Sequence, residues 1–134
     1  MMEDRIDLEP QSEDRLRDLA PPALRTFFAL AQVWNLNEHE QMKLLGVASP
    51  ITLRAWKGGS CSEARPETIE RISYLLGIFK AINILLPDQS RAYQWMRAPN
   101  AGEPFGGRSA LDRMTHGSID DLQAVRRHLE AQIG

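Results

Sequence analysis

Residues 37–59 read NEHEQMKLLGVASPITLRAWKGG, and this stretch decides the fold. Asn37 can cap a helix, with Glu40 three residues on as its reciprocal partner. Met42, Leu44 and Leu45 give that helix an apolar side, and Gly46 stops it near Leu45. Ser49-Pro50 then opens a second helix, 51–57, because proline suits a first helical turn. Gly58-Gly59 ends it. Gly46 permits a tight turn, so two short helices can cross steeply around Val47, Leu53 and Trp56. The spacing of three puts Leu53 and Trp56 on one face.

Upstream, Pro21-Pro22 reads as the opening of a helix. Leu24, Phe27, Phe28, Leu30, Ala31 and Val33-Trp34 recur at helical spacing as far as Asn35. Residues 1–19 read as an acidic flexible tail with a short helix near its end. Downstream, a long helix is expected over 67–86. Ile69, Ile72, Leu76, Phe79 and Leu86 form one stripe, and Leu75, Ile78, Ile82 and Leu85 widen it. So broad a stripe must be buried on several sides, in a dimer or between domains. Pro87-Asp88 starts a short helix through Arg97, and 99–107 is a loop. Ser109-x-x-Asp112 and Ser118-x-x-Asp121 open a short helix and a final one. In the last, Ile119, Leu122, Val125, Leu129 and Ile133 make a narrow seam. No strand pattern and no repeat is visible. The fold class is all-α: a tail (1–19), a helix-turn-helix bundle with its long helix (20–86) and a small helical domain (87–134).

The bulk composition fits a soluble globular chain of 134 residues, 43% hydrophobic and 25% charged. The longest apolar stretch, 72–86, is interrupted by Gly77, Lys80 and Asn83 and cannot span a bilayer. The acidic N-terminus lacks the apolar core of a signal peptide. A lone cysteine, Cys61, forms no internal disulfide and suits the cytoplasm. Net charge is −2, unevenly spread. Residues 1–19 hold seven acids against three arginines, whereas 20–65 hold five basic and three acidic residues. That balance argues against sequence-blind nucleic-acid binding but leaves room for a small basic reading face.

Stretch 37–59 resembles the Xre-type helix-turn-helix. In such a fold the second helix enters the major groove with its N-terminal residues near the bases. At about 100° per residue, the side opposite Leu53 and Trp56 carries Ile51, Arg54 and Ala55, with Pro50 beside them. Arg54 alone on that face makes strong base hydrogen bonds, typically to guanine. Ile51 could meet a thymine methyl. Lys57, Arg65 and the Ser49 hydroxyl could reach phosphates. The surface is thin, so operator binding would need a homodimer on a palindrome. A helix-turn-helix kept only as scaffold stays open.

Residues 92–134 read AYQWMRAPNAGEPFGGRSALDRMTHGSIDDLQAVRRHLEAQIG. Trp95, Pro99-Asn100, Phe105-Gly106-Gly107, Ser109 with Leu111 and Met114, Gly117 and the last helix resemble the toxin-binding domain of the Xre/MbcA/ParS antitoxin family. Together with the upstream helices the resemblance covers about 20–134; one departure is Ala110, where the family often has proline. It implies an antitoxin of a type II toxin–antitoxin pair. The implied partner is a RES-domain toxin that consumes NAD or ADP-ribosylates a target, blocked at its active-site cleft by the C-terminal region. The candidate contacts are Arg108, Leu122, Arg126, Arg127, Leu129, Glu130, Ile133 and Gly134. Arg126 or Arg127 could sit at the polar entrance of an NAD pocket. Truncating the last helix is expected to abolish neutralisation and leave the upstream fold soluble. The resemblance also implies autorepression of the operon and a homodimer within a hetero-oligomeric complex.

Residues for bond-breaking chemistry are missing from this pattern. His39, His116 and His128 are scattered, and Cys61 has no partner at ligand spacing, so neither a zinc site nor any other cofactor is expected. The 105–109 stretch lacks the Gly-Lys-Ser/Thr of a phosphate loop. Asp120-Asp121 reads as first-turn acids facing the helix dipole. The competing reading is a stand-alone Xre-type repressor with an unrelated C-terminal effector domain.

Overall fold

The computed structural model describes the backbone of residues 2–134 and the side chains from Arg15 onward. Seven helices make up the described fold: α1 (Met2–Val33), α2 (Glu38–Leu45), α3 (Pro50–Lys57), α4 (Pro66–Leu85), α5 (Gln89–Arg97), α6 (Ala110–Met114) and α7 (Ile119–Ile133). No strand occurs among the described residues, so the fold is all-α as the sequence predicts. One isolated bridge pairs Pro99 with Ser109.

The expected start at Pro21-Pro22 is corrected: α1 runs through both prolines. Each proline removes one helical N–H bond. Ala20, just before them, is buried, and Leu24 and Phe27 follow it into the core. Most of the expected flexible tail falls on residues whose side chains lie outside those described; its stretch 15–19 is helical. Val33, expected on the apolar face, is exposed, and Leu24, Phe27, Leu30, Ala31 and Trp34 carry the packing. Asn35 turns the chain at φ 52 to end α1.

The caps of α2 follow the sequence reading. Asn37 Oδ1 accepts from Glu40 N at 2.7 Å, and Asn37 N donates to Glu40 Oε1 at 2.9 Å. Gly46 closes the helix in the left-handed region at φ 72.

α4 is the central column. Ile72, Leu75, Ile78, Ala81 and Ile82 are buried on it. Its most extensive packing is against α7, then α1, with α2 and α5 adding smaller contacts. Of the broad apolar stripe, Ile72, Leu75, Ile78 and Ile82 are covered within the chain, whereas Ile69, Leu76, Phe79, Leu85 and Leu86 stay half-buried. One continuous cluster joins Phe27 and Leu53 of the first part with Met96, Met114, Leu122 and Leu129 of the second. A division after residue 86 thus marks a change of elements but not a second core.

Candidate functional site

Two surfaces follow from this packing. The first is α3. Ser49 caps it, its hydroxyl accepting from Ile51 N at 3.2 Å and Thr52 N at 3.4 Å. Pro50 takes the first helical position. Leu53 and Trp56 point into the core. The Trp56 indole N–H donates to Ser62 O at 2.6 Å, tying down the loop after α3. Outward are Ile51, 76% exposed, and Arg54 and Ala55. Arg54 is not loose. Its Nε donates to Glu38 Oε2 at 3.0 Å and its Nη2 to Glu38 Oε1 at 2.9 Å. Hydrogen bonding to Arg54 holds the Glu38 carboxyl below its ordinary range, and the same bonds raise the Arg54 guanidinium. Lys57 turns aside, its ammonium 5.6 Å from the Phe28 ring centroid. Exposed Arg65 shares a polar groove with Ser49 and Thr52. Ser49, Pro50, Ile51, Arg54, Lys57 and Arg65 thus all reach the surface, around α3 and the start of α4.

The second surface is built by the segment after α4. Phe105 is buried between two rings. Trp95 meets it edge-on at 5.8 Å and His128 at 5.0 Å. Gly106 and Gly107, at φ 59 and 89, let the loop reverse over this stack. Arg113 ties the loop to α7: its Nη1 donates to Pro104 O at 2.6 Å and its Nε to Asp121 Oδ1 at 2.7 Å. Asp121 is buried and also accepts from Ser118 N, so it does more than face the helix dipole. A shallow groove lined by Pro104, Gly106, Arg108, Arg113 and His116 opens beside it.

The expected toxin contacts separate on this geometry. Leu122 and Leu129, expected as toxin contacts, lie in the core: they are 0% and 3% exposed, because α7 turns this part of its seam onto the rest of the chain. Arg126 lies across α4 at Gly77, where an added Cβ would fall 2.6 Å from its guanidinium carbon. It stacks on Tyr74 and pairs with Glu130 at 3.1 Å. Arg108, Arg127, Glu130, Ile133 and Gly134 remain exposed.

Sequence reading missed the residues that join the two parts. Arg97 donates to Trp34 O at 3.1 Å and Asn35 O at 3.0 Å, closing the C-terminal end of α1, and reaches Glu40. Arg71 donates to Glu67 and, across the fold, to Gly117 O at 2.9 Å. Apart from Glu67, four residues from Arg71, these partners lie 46 to 63 residues apart, beyond any local pattern.

Residues 81–133 match the antitoxin Xre/MbcA/ParS C-terminal toxin-binding domain. Over 116 residues the chain is 41% identical to the uncharacterized protein y4oB of Sinorhizobium fredii (strain NBRC 101917 / NGR234), covering 85% of this chain and 86% of that relative. The chain belongs to the Xre/MbcA/ParS antitoxin family. The protein is thus an antitoxin of a toxin–antitoxin system, and its partner is a toxin. The match spans the end of α4 through α7, so the groove by Phe105 and the exposed side of α7 lie within the toxin-binding domain. An unrelated effector domain at this position is thereby replaced. Among the described residues no helix is long and apolar enough to cross a membrane.

Proposed function

We propose that this antitoxin blocks the active site of a RES-domain toxin that consumes NAD or ADP-ribosylates a target, and that it represses its own operon through α3. The observation that carries the toxin half is the match of residues 81–133 to a toxin-binding domain. Leu122, Val125 and Leu129 of its apolar seam are spent on the core, which leaves exposed Ile133 and the polar residues of α7 for the partner. Arg127 and Arg108 are the arginines best presented, since Arg126 is laid against Gly77. An NAD pocket binds phosphates, and an arginine fork at its entrance can pair with the acids or polar groups there.

Truncating α7 is a poor test, because it would strip the element that packs most extensively on α4. Charge reversal is cleaner. Arg127→Glu with Arg108→Glu should abolish co-purification with the RES-domain protein from a neighbouring reading frame and abolish rescue of growth. Thermal stability should stay within about 0.5 kcal/mol, as for exposed substitutions. Unchanged rescue would remove both arginines from the interface. Failure of the unaltered antitoxin to capture that protein would remove the RES assignment.

For the DNA half, the support is the outward face of α3 with Arg54 on it. Arg54→Ala should weaken binding to the duplex immediately upstream of the reading frame. Equal, weak binding by both proteins would leave α2 and α3 as scaffold. A homodimer would present two such faces to a palindrome. Its contact must use residues other than Ile72, Leu75 and Ile78, which are already buried.

A further inference from the structure

Glu38 and Arg54 sit on different helices and sixteen residues apart, yet they make a two-point contact. Which edge of the guanidinium is used matters. The carboxylate takes Nε and one hydrogen of Nη2. An arginine has five N–H donors in one rigid plane. Three therefore remain, two on Nη1 and one on Nη2. That end-on pair is the edge able to grip guanine O6 and N7 together. The contact occupies the side of the fork and leaves its working end intact.

We propose that Glu38 is a positioning residue that aims Arg54 at a guanine, and so helps set which operator the antitoxin selects. The proposal rests on the DNA-reading assignment of α3. A long exposed arginine samples many rotamers and loses that freedom on binding. Here Glu38, anchored in the first turn of α2, fixes the plane beforehand. It also offsets the Arg54 charge, and the neighbouring cation on α3, Lys57, is turned towards Phe28. Attraction to phosphates regardless of sequence is reduced, and discrimination rests on the geometry of the fork. Stability gives little reason for the pair, since exposed ion pairs contribute weakly to folding.

The test measures binding to the duplex immediately upstream of the reading frame and to a set in which each base pair is replaced in turn. It compares the unaltered antitoxin, Glu38→Gln, Arg54→Ala and the double variant. Arg54→Ala should lose about 5- to 150-fold of discrimination at one G·C pair, the range for a two-point guanine contact. Glu38→Gln should lose about 2- to 10-fold at that same pair, the cost of ordering one long side chain. Adding Glu38→Gln to Arg54→Ala should change nothing further there. Tighter binding by Glu38→Gln to every duplex, with discrimination at that pair kept in full, would show that Glu38 merely repels phosphate, and overturn the proposal. An unchanged or evenly spread effect of Glu38→Gln beside a local effect of Arg54→Ala would also overturn it, with the DNA-reading assignment intact. No discrimination by the unaltered antitoxin, or none lost in Arg54→Ala, would remove both.

Discussion

Gly77 sits inside a 20-residue helix, where glycine is ordinarily a weak choice. Arg126 explains it, because the guanidinium occupies the space a methyl group would need. Gly77→Ala gains helix propensity but must push Arg126 off Tyr74 and Glu130. With Arg126 in place, the two effects should nearly cancel. In an Arg126→Ala background, Gly77→Ala should stabilise by about 0.5–1 kcal/mol. Denaturant midpoints of the four proteins give the coupling; additive effects would mean that Arg126 does not lie there. A second residue-scale expectation concerns acid. The folded state holds the Glu38 carboxyl below its ordinary value, through Arg54. The stability it lends is complete above the ordinary carboxylate range and fades as pH falls through the lowered value. Glu38→Gln should therefore cost a little stability at neutral pH and nothing in acid, where the carboxyl is already protonated, so the acid limb of the stability profile becomes shallower. A loss in acid as large as or larger than the loss at neutral pH would contradict this.

At the scale of elements, α2, its turn and α3 were legible because each boundary carries a local chemical signal. Asn37 with Glu40, Gly46, and Ser49 with Pro50 are short-range devices, and they act as the sequence predicts. The seam of α7 was legible as a pattern but not as a direction. Leu122 and Leu129 could face a partner or the chain's own core, and only the position of α4 decides between them. The start of α1 differs from the expectation because a proline pair marks a helical first turn by local rules, whereas here the helix passes through both. The turn offers a direct test. At Gly46 the backbone has φ +72, and an added Cβ would meet Arg71 Nε at 2.7 Å. Gly46→Ala should cost about 1–2 kcal/mol for the left-handed conformation alone. It should also disturb the Arg71 bond to Gly117 O, so hydrogen exchange should quicken at the start of α7 as well as in α2. Exchange confined to α2 would show that Arg71 does not connect them.

Across the whole molecule, arginines rather than apolar contacts alone register one half against the other. Arg97 closes α1 from α5, and Arg71 joins α4 to the turn before α7. Arg97→Ala removes charged bonds to two carbonyls at a helix end and should destabilise by about 2 kcal/mol. Because the core is continuous, thermal unfolding should stay a single transition. A peptide of residues 87–134 should show little helix by circular dichroism, having lost α4. Two separate transitions, or a well-folded peptide, would restore the picture of independent domains. Synthesis runs in one direction, so α4 leaves the ribosome before the helix that packs on it. Until residues 119–133 follow, the nascent chain offers the α7-facing side of that column to chaperones and proteases. Completion of the scaffold and arrival of the last helix of the toxin-binding domain are thus a single moment in the life of each molecule.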